Sequence, residues 1–365
     1  MKRAFDRREF VRSIVGGAVA LSLSPMALAQ YGPIPGKILL RYNENPYGPS
    51  AKGLKAGAEA AKVGAYYPES ITTDLPRMIA RRHGLEMDNM VLSSGSNEAL
   101  HAAMVAYGKR GKVVMPALTY NDHVPYSKRM GVKITRVPMA KDLSIDLDAM
   151  AAAVDDSVSL VYVCSPNNPT GLALDGDALR AFCRDVGKKA VVLVDEAYNE
   201  ITDDPGYTSV VDLVRDGENV LVMRTFSKIF GMAGYRVGYG MGHPDIAELV
   251  NGYVMAWPNG VGLATAFASY QDEEFIAFSR GKIVEGREMV NHTFRKNGVE
   301  PLPSQTNFVY ADIGRNADDF AKKMAEQNVM IRGSMGGPEN FTRVSMGRLE
   351  DLEVFDRVFT EIYNA

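Results

Sequence analysis

Arg224-Thr-Phe-Ser-Lys-Ile-Phe-Gly-Met-Ala-Gly-Tyr-Arg236 sets one lysine, Lys228, among small hydroxyl residues, follows it with glycines and then returns an arginine. A lysine amine attacks carbonyl carbon only when desolvation or a neighbouring cation lowers its pKa. The flanks suit that: Val220–Met223 reads as a buried strand entering the loop, and Val237–Met241 as another leaving it. Thr225 and Ser227 can donate to an anion, and Arg236 offers the planar fork that suits a phosphate dianion. Taken alone, a Ser-Lys pair matches by chance, and a solvated surface lysine is the commoner case. The rest of the chain has to decide.

Outward from this run, 365 residues allow two domains, or one large α/β domain with an appendage. Hydrophobic residues make up 46% and charged residues 23%, the balance of an ordinary globular protein. A net charge of −3 gives no global field toward nucleic acid or an anionic membrane. Cys164 and Cys183 are too few for a disulfide framework, and the five histidines are scattered, so no metal site is expected.

The N-terminus departs from this profile. Asp6-Arg7-Arg8-Glu9-Phe10-Val11-Arg12 precedes an uncharged, mostly apolar run from Ser13 to Leu28 that closes on Ala27-Leu28-Ala29. The run is short for a membrane span, which needs ~20 strongly apolar residues, and its end is a small-residue cleavage signature. It resembles a twin-arginine export signal. The resemblance implies residues 1–29 as a signal peptide, a periplasmic or secreted location and only transient membrane contact; a cytoplasmic protein with a basic N-terminal helix is the alternative.

Residues 30–50, rich in Pro, Gly and Asn, read as an extended arm. Strands are expected at Met90–Ser93, Lys112–Met115, Lys133–Val137, Ser159–Cys164, Ala190–Val194, Val220–Met223 and Val237–Met241. Helical segments fall between several of them, Asp175–Val186 for instance, after helices at Ala51–Val63 and Asp74–His83. Such alternation predicts an α/β fold with a mostly parallel seven-stranded sheet between helices, over residues 51–270. Loops at the carboxyl ends of those strands are where a ligand binds. From 271 to 365 the pattern becomes a small α+β domain: a long helix Asp272–Lys296, strands near Asn307–Ala311, Met330–Arg332 and Arg343–Met346, and helices Asp318–Gln327 and Leu349–Ile362.

Three further motifs meet the lysine run at that edge. Ser165-Pro-Asn-Asn-Pro-Thr-Gly171 follows a buried strand, and Asn168 can donate to an aromatic ring's oxygen. Val194-Asp-Glu-Ala-Tyr198 puts a carboxylate at a buried strand end, costly unless it meets a cation or donor. A pyridinium N–H would satisfy Asp195, with Tyr198 reaching a phenolic oxygen. Gly95-Ser96-Asn97-Glu98 opens a helix whose N–H groups and dipole make an anion pocket. Tyr120 could stack on a flat ring; a core tyrosine is its ordinary reading. An imine-forming lysine beside a phosphate cradle is the site that pyridoxal 5′-phosphate requires.

In this order and spacing the motifs resemble the class I/II pyridoxal-phosphate-dependent aminotransferases of fold type I, in their histidinol-phosphate aminotransferase-like branch. The resemblance spans Asn43-Glu-Asn-Pro46 to Arg343-Val-Ser-Met-Gly347. It implies Lys228 as the Schiff-base lysine, Asp195 as partner of the pyridine nitrogen, and Asn168 and Tyr198 at the ring oxygen. Tyr120 would stack on the ring, while Ser96, Asn97, Thr225, Ser227 and Arg236 would hold the phosphate. Tyr67, before Pro68, would reach the phosphate of a neighbouring subunit, hence a homodimer. Arg343 would pair with the substrate carboxylate, assisted by Arg332 and with Asn43 beside it. The activity implied is ping-pong transfer of an amino group from an amino acid or histidinol-phosphate-like amine to a 2-oxo acid such as 2-oxoglutarate. A lyase, decarboxylase or racemase would begin from the same lysine, and a non-catalytic pyridoxal-phosphate-binding regulator would keep the cofactor without the turnover.

Overall fold

The computed structural model describes residues 32–365; the expected export signal at 1–29 lies outside them. The strands in chain order are β1 (Ile38–Leu39), β2 (Met90–Ser93), β3 (Lys112–Pro116), β4 (Ile134–Val137), β5 (Val158–Cys164), β6 (Val191–Asp195), β7 (Val220–Thr225), β8 (Gly238–Gly242), β9 (Phe308–Asp312), β10 (Val329–Met330) and β11 (Phe341–Ser345). Seven form the central sheet in the order β2-β8-β7-β6-β5-β3-β4, and only β8 runs against its neighbours. The α/β architecture expected from the alternation is therefore present.

The composition of β6 explains why the sheet is covered on both faces. Val192 and Val194 join one apolar cluster, while Val191 and Leu193 join another across the sheet. Side chains alternate faces along a strand, so a continuous apolar run needs cover on each side. One face packs under helices Ser96–Gly108 and Pro244–Asn251, through Leu100, Met104, Ile246 and Val250. The other is covered by residues such as Leu75 and Ile79 of helix Glu69–Arg82, Leu179 and Phe182 of helix Gly176–Val186, and Leu263 of helix Gly260–Tyr270.

Two details differ from the sequence reading. Helix Glu69–Arg82 starts five residues before Asp74, because Thr72 and Thr73 turn their hydroxyls back onto Glu69 O and Ser70 O at 2.6 and 2.8 Å. The arm is not wholly irregular: β1 pairs in parallel with β10, which fastens residues 38–40 to the C-terminal part of the chain. There β9 and β11 form an antiparallel pair, backed by helices Glu273–Lys296 and Leu349–Asn364. Phe355 and Phe359 of the last helix lie one turn apart and meet Phe294 with ring centroids 6.4 and 5.1 Å away.

Candidate active site

Parallel strands deliver the chemistry to one edge. β5 runs into the loop Ser165–Gly171, β6 ends on Asp195, and β7 ends on Thr225 just before Lys228. β8, being antiparallel, begins at this same edge two residues after Arg236, and Gly238 pairs with Ser93 at the end of β2. A cavity of about 210 Å³ opens among these ends. Ser96, Asn97, Tyr120, Asp195, Tyr198, Thr225, Ser227, Lys228 and Arg236 line it, as do Tyr42, Glu44 and Cys164. A second cavity of about 190 Å³ shares Tyr42, Tyr120 and Lys228 and is walled by Asn43, Asp122, Asn168, Arg332 and Arg343. Of the residues singled out in the sequence, only Tyr67 lines neither cavity; it is 85% exposed, with its ring edge-on to Trp257 at 6.1 Å.

The first cavity has the form of an anion cradle. Helix Ser96–Gly108 begins after Gly95 with no side-chain cap, leaving first-turn N–H groups available to an anion. Gly95 has φ 76°, and a Cβ there would collide with the Arg236 guanidinium. A Cβ on Gly238 would collide with the backbone nitrogen of Ser96. Two glycines thus let the helix start, β8 and Arg236 converge. Thr225 Oγ1 donates to Ser227 Oγ at 2.9 Å, and Arg236 reaches Ser227 Oγ at 3.5 Å.

Further in, Asp195 is 2% exposed. Its oxygens accept from Tyr162 Oη at 3.0 Å and from the Ala197 N–H at 3.2 Å. Burial pushes its pKa up to about 6, against the lowering pull of those donors and of Lys228. A buried carboxylate in that condition gains from a cationic N–H placed against it. Lys228 shows the converse: burial first, then Arg343, lower its amine to about 8, opposed by Glu44 and Asp195. Its Nζ donates to Asn43 O at 3.2 Å. A poised amine, a carboxylate lacking a cation and an open anion cradle fit a phosphorylated pyridine aldehyde.

The second cavity is organised by the arm. Asn43, held at φ 55°, donates through Nδ2 to Tyr198 Oη at 3.0 Å and accepts from Ser345 Oγ at 2.8 Å. Arg343 is 3% exposed; it donates to Asn168 Oδ1 at 2.6 Å and to Arg41 O at 2.9 Å. Its Nε has no partner, and burial, reinforced by Arg332, brings its pKa down to about 10. A guanidinium so placed among neutral acceptors is a receptor for an incoming anion. Arg332 stands next to it through a backbone bridge, its own Nε unpartnered. The expected strand Met330–Arg332 is reduced to β10 plus this bridge.

Several residues in or behind the site escaped the sequence reading. Tyr162 sits in the middle of an apolar strand; a buried tyrosine there needs a hydrogen-bond partner, which is the available signal. Buried His123 lies with its ring 5.9 Å from Tyr120 and 5.3 Å from Tyr162, and burial takes its pKa down to about 3. Tyr42 and Glu44 flank Asn43 and share its approach to the site.

The chain belongs to the class I and II aminotransferases, whose family model matches residues 35–357. It is a pyridoxal-phosphate-dependent aminotransferase. It is 33% identical to the histidinol-phosphate aminotransferase of Moorella thermoacetica over 331 residues, 89% of this chain and 85% of that one. Among solved structures it is similar to a putative histidinol-phosphate aminotransferase from Erwinia carotovora atroseptica, with TM-score 0.86, 31% identity, and 90% and 96% of the two chains covered. The histidinol-phosphate aminotransferase of Sinorhizobium meliloti, solved in complex with pyridoxal 5′-phosphate, matches at TM-score 0.80 and 27% identity over 99% and 98% of the two chains.

Proposed function

We propose that this aminotransferase carries an amino group from an amino acid or a histidinol-phosphate-like amine to a 2-oxo acid such as 2-oxoglutarate, in a ping-pong cycle. The observation that carries this reading is Lys228: a buried amine lowered to about 8, lying where the two cavities meet. Bound there, pyridoxal 5′-phosphate supplies an electron sink for the charge left when the substrate Cα loses its proton. Ser96, Asn97, Thr225, Ser227 and Arg236 hold its phosphate. Asp195 keeps a proton on the ring nitrogen, while Asn168 and Tyr198 donate at the ring oxygen. Tyr120 packs against the ring. Lys228 Nζ would take the proton from the substrate Cα and hold it beside the cofactor, acting as base and then as acid. Arg343, with Arg332 and Asn43, holds the substrate carboxylate and fixes the direction of the Cα–H bond. A phosphate would take the same guanidinium in a donor without a carboxylate.

The chain works as a homodimer in this reading. Tyr66, Tyr67, Met255 and Trp257 are exposed apolar side chains, with Tyr67 edge-on to Trp257, and make a group that a second copy would cover. Paired across two copies, it brings Tyr67 to the neighbour's phosphate cradle. We assign residues 1–29 to twin-arginine export, with the enzyme acting outside the cytoplasm. A screen of the purified holoenzyme against many amino donors, with 2-oxoglutarate and pyruvate as acceptors, tests the activity. Oxo product that forms only when an acceptor is present supports it. Carbon dioxide or an eliminated fragment released without acceptor would point to a decarboxylase or lyase. Gel filtration tests the assembly, and a fully active monomer would refute it.

A further inference from the structure

The substrate cavity carries opposite charges at opposite depths. Arg343 lies at its floor, 3% exposed, with Nε buried and unpartnered. Asp122 lines the same cavity but is exposed, so it stands at the mouth. The two charges sense each other, since Asp122 acts to raise the pKa of Arg343. Yet among the described residues Asp122 is in no ion pair, and its one side-chain bond is from Tyr120 Oη at 3.3 Å. The guanidinium and the carboxylate thus face one cavity without pairing. Lys228 lines the same cavity, in which Asp122 is the acidic side chain among the described lining residues, so a substrate with its carboxylate on Arg343 and its Cα at Lys228 has Asp122 to meet its far end.

We propose that Asp122 selects amino donors whose side chain ends in a protonated nitrogen: basic amino acids and amines of that length. The assignment rests on the reading of this cavity as the amino-donor site. A distal ammonium satisfies a carboxylate that otherwise faces only a tyrosine hydroxyl. Because the carboxylate is solvated, its contribution is that of an exposed ion pair, a preference of about fivefold.

The test separates this charge selection from the chemistry. The first arm uses, on the full-length holoenzyme, ligands that cannot form an imine: 5-(dimethylamino)pentanoate and 6-methylheptanoate, matched in shape and differing in the distal ammonium. The ratio of their dissociation constants, by calorimetry, is compared between the wild type and Asp122→Asn. The expected result is a fall of about fivefold in the preference for 5-(dimethylamino)pentanoate, with Asp122→Glu retaining it. The second arm compares kcat/KM for L-ornithine and its neutral isostere L-norleucine, and the same fall is expected. A ratio unchanged by Asp122→Asn in the binding arm overturns the proposal, whatever the activity. If Asp122→Asn does not fold, Asp122→Ser serves in its place. Absence of oxo product from every donor, with the binding ratio behaving as stated, sinks the amino-transfer reading and leaves the charge selection standing.

Discussion

The pKa of Lys228 makes a prediction about how the apoenzyme captures its cofactor. Only the neutral amine attacks the aldehyde, so the capture rate follows the neutral fraction. With the pKa at about 8, roughly 9% of Lys228 is neutral at pH 7, against about 0.03% for an ordinary lysine at 10.5. Burial thus gives the amine a ~300-fold advantage at that pH. Mixing apoenzyme with pyridoxal 5′-phosphate in a stopped-flow absorbance cell should show the rate rising nearly tenfold per pH unit between 6 and 7, then levelling above pH 8. The neighbours carry signs that can be read separately. Arg343 lowers the Lys228 pKa, so Arg343→Gln should move the midpoint up. Glu44 raises it, so Glu44→Gln should move the midpoint down. A wild-type midpoint near 10, or shifts of the same sign in the two variants, would refute the electrostatic account of the site.

Replacing Lys228 with Ala should abolish turnover and leave no adduct for borohydride to trap; retained amino transfer would move the nucleophile elsewhere. Gly238→Ala forces the helix start away from β8, and overpacking of about 1–3 kcal/mol should weaken cofactor binding about 5- to 150-fold. Equilibrium dialysis giving wild-type affinity would mean that the Ser96 backbone does not hold the phosphate. Behind the site, Arg224 donates to Glu196 Oε2 through Nε and Nη2 at 3.0 and 2.7 Å, both residues buried. Glu196→Ala leaves that guanidinium with Glu200 at 3.6 Å, and should cost about 3–5 kcal/mol in urea unfolding. A loss under ~1 kcal/mol would show that the pair adds little to the fold.

What the residues disclosed in advance follows a physical division. The strand ends at Asp195, Thr225 and Lys228 were legible because each closes a short apolar run, and the period of a strand fixes where its side chains emerge. The β1–β10 pairing was not, since two-residue strands leave no periodicity to read, and their partners lie 291 positions apart (Ile38 to Val329). The phosphate cradle was legible as motif but not as geometry: the convergence of Gly95 and Gly238 depends on which strands become neighbours. Asp122 follows a recognised residue closely, yet a single acidic residue in a loop carries no pattern. Helix Gly260–Tyr270, made largely of small residues, gave little amphipathic signal before its neighbours were known.

The Arg41–Asn43 segment has one more consequence, in the order in which the chain is made. Asn43 waits for Ser345, and Arg41 for Arg343, each partner 302 residues later. At 5–20 residues per second, translation needs about 15–60 s to cover that distance. Over the last 117 residues of that interval, from Lys228 to Ser345, the lysine strand can already exist, but the wall holding its amine cannot. A pocket closed by two segments so far apart reaches its working form only after Ser345 has been made, so a chain that stalls before it is left with a nucleophile and no chamber around it.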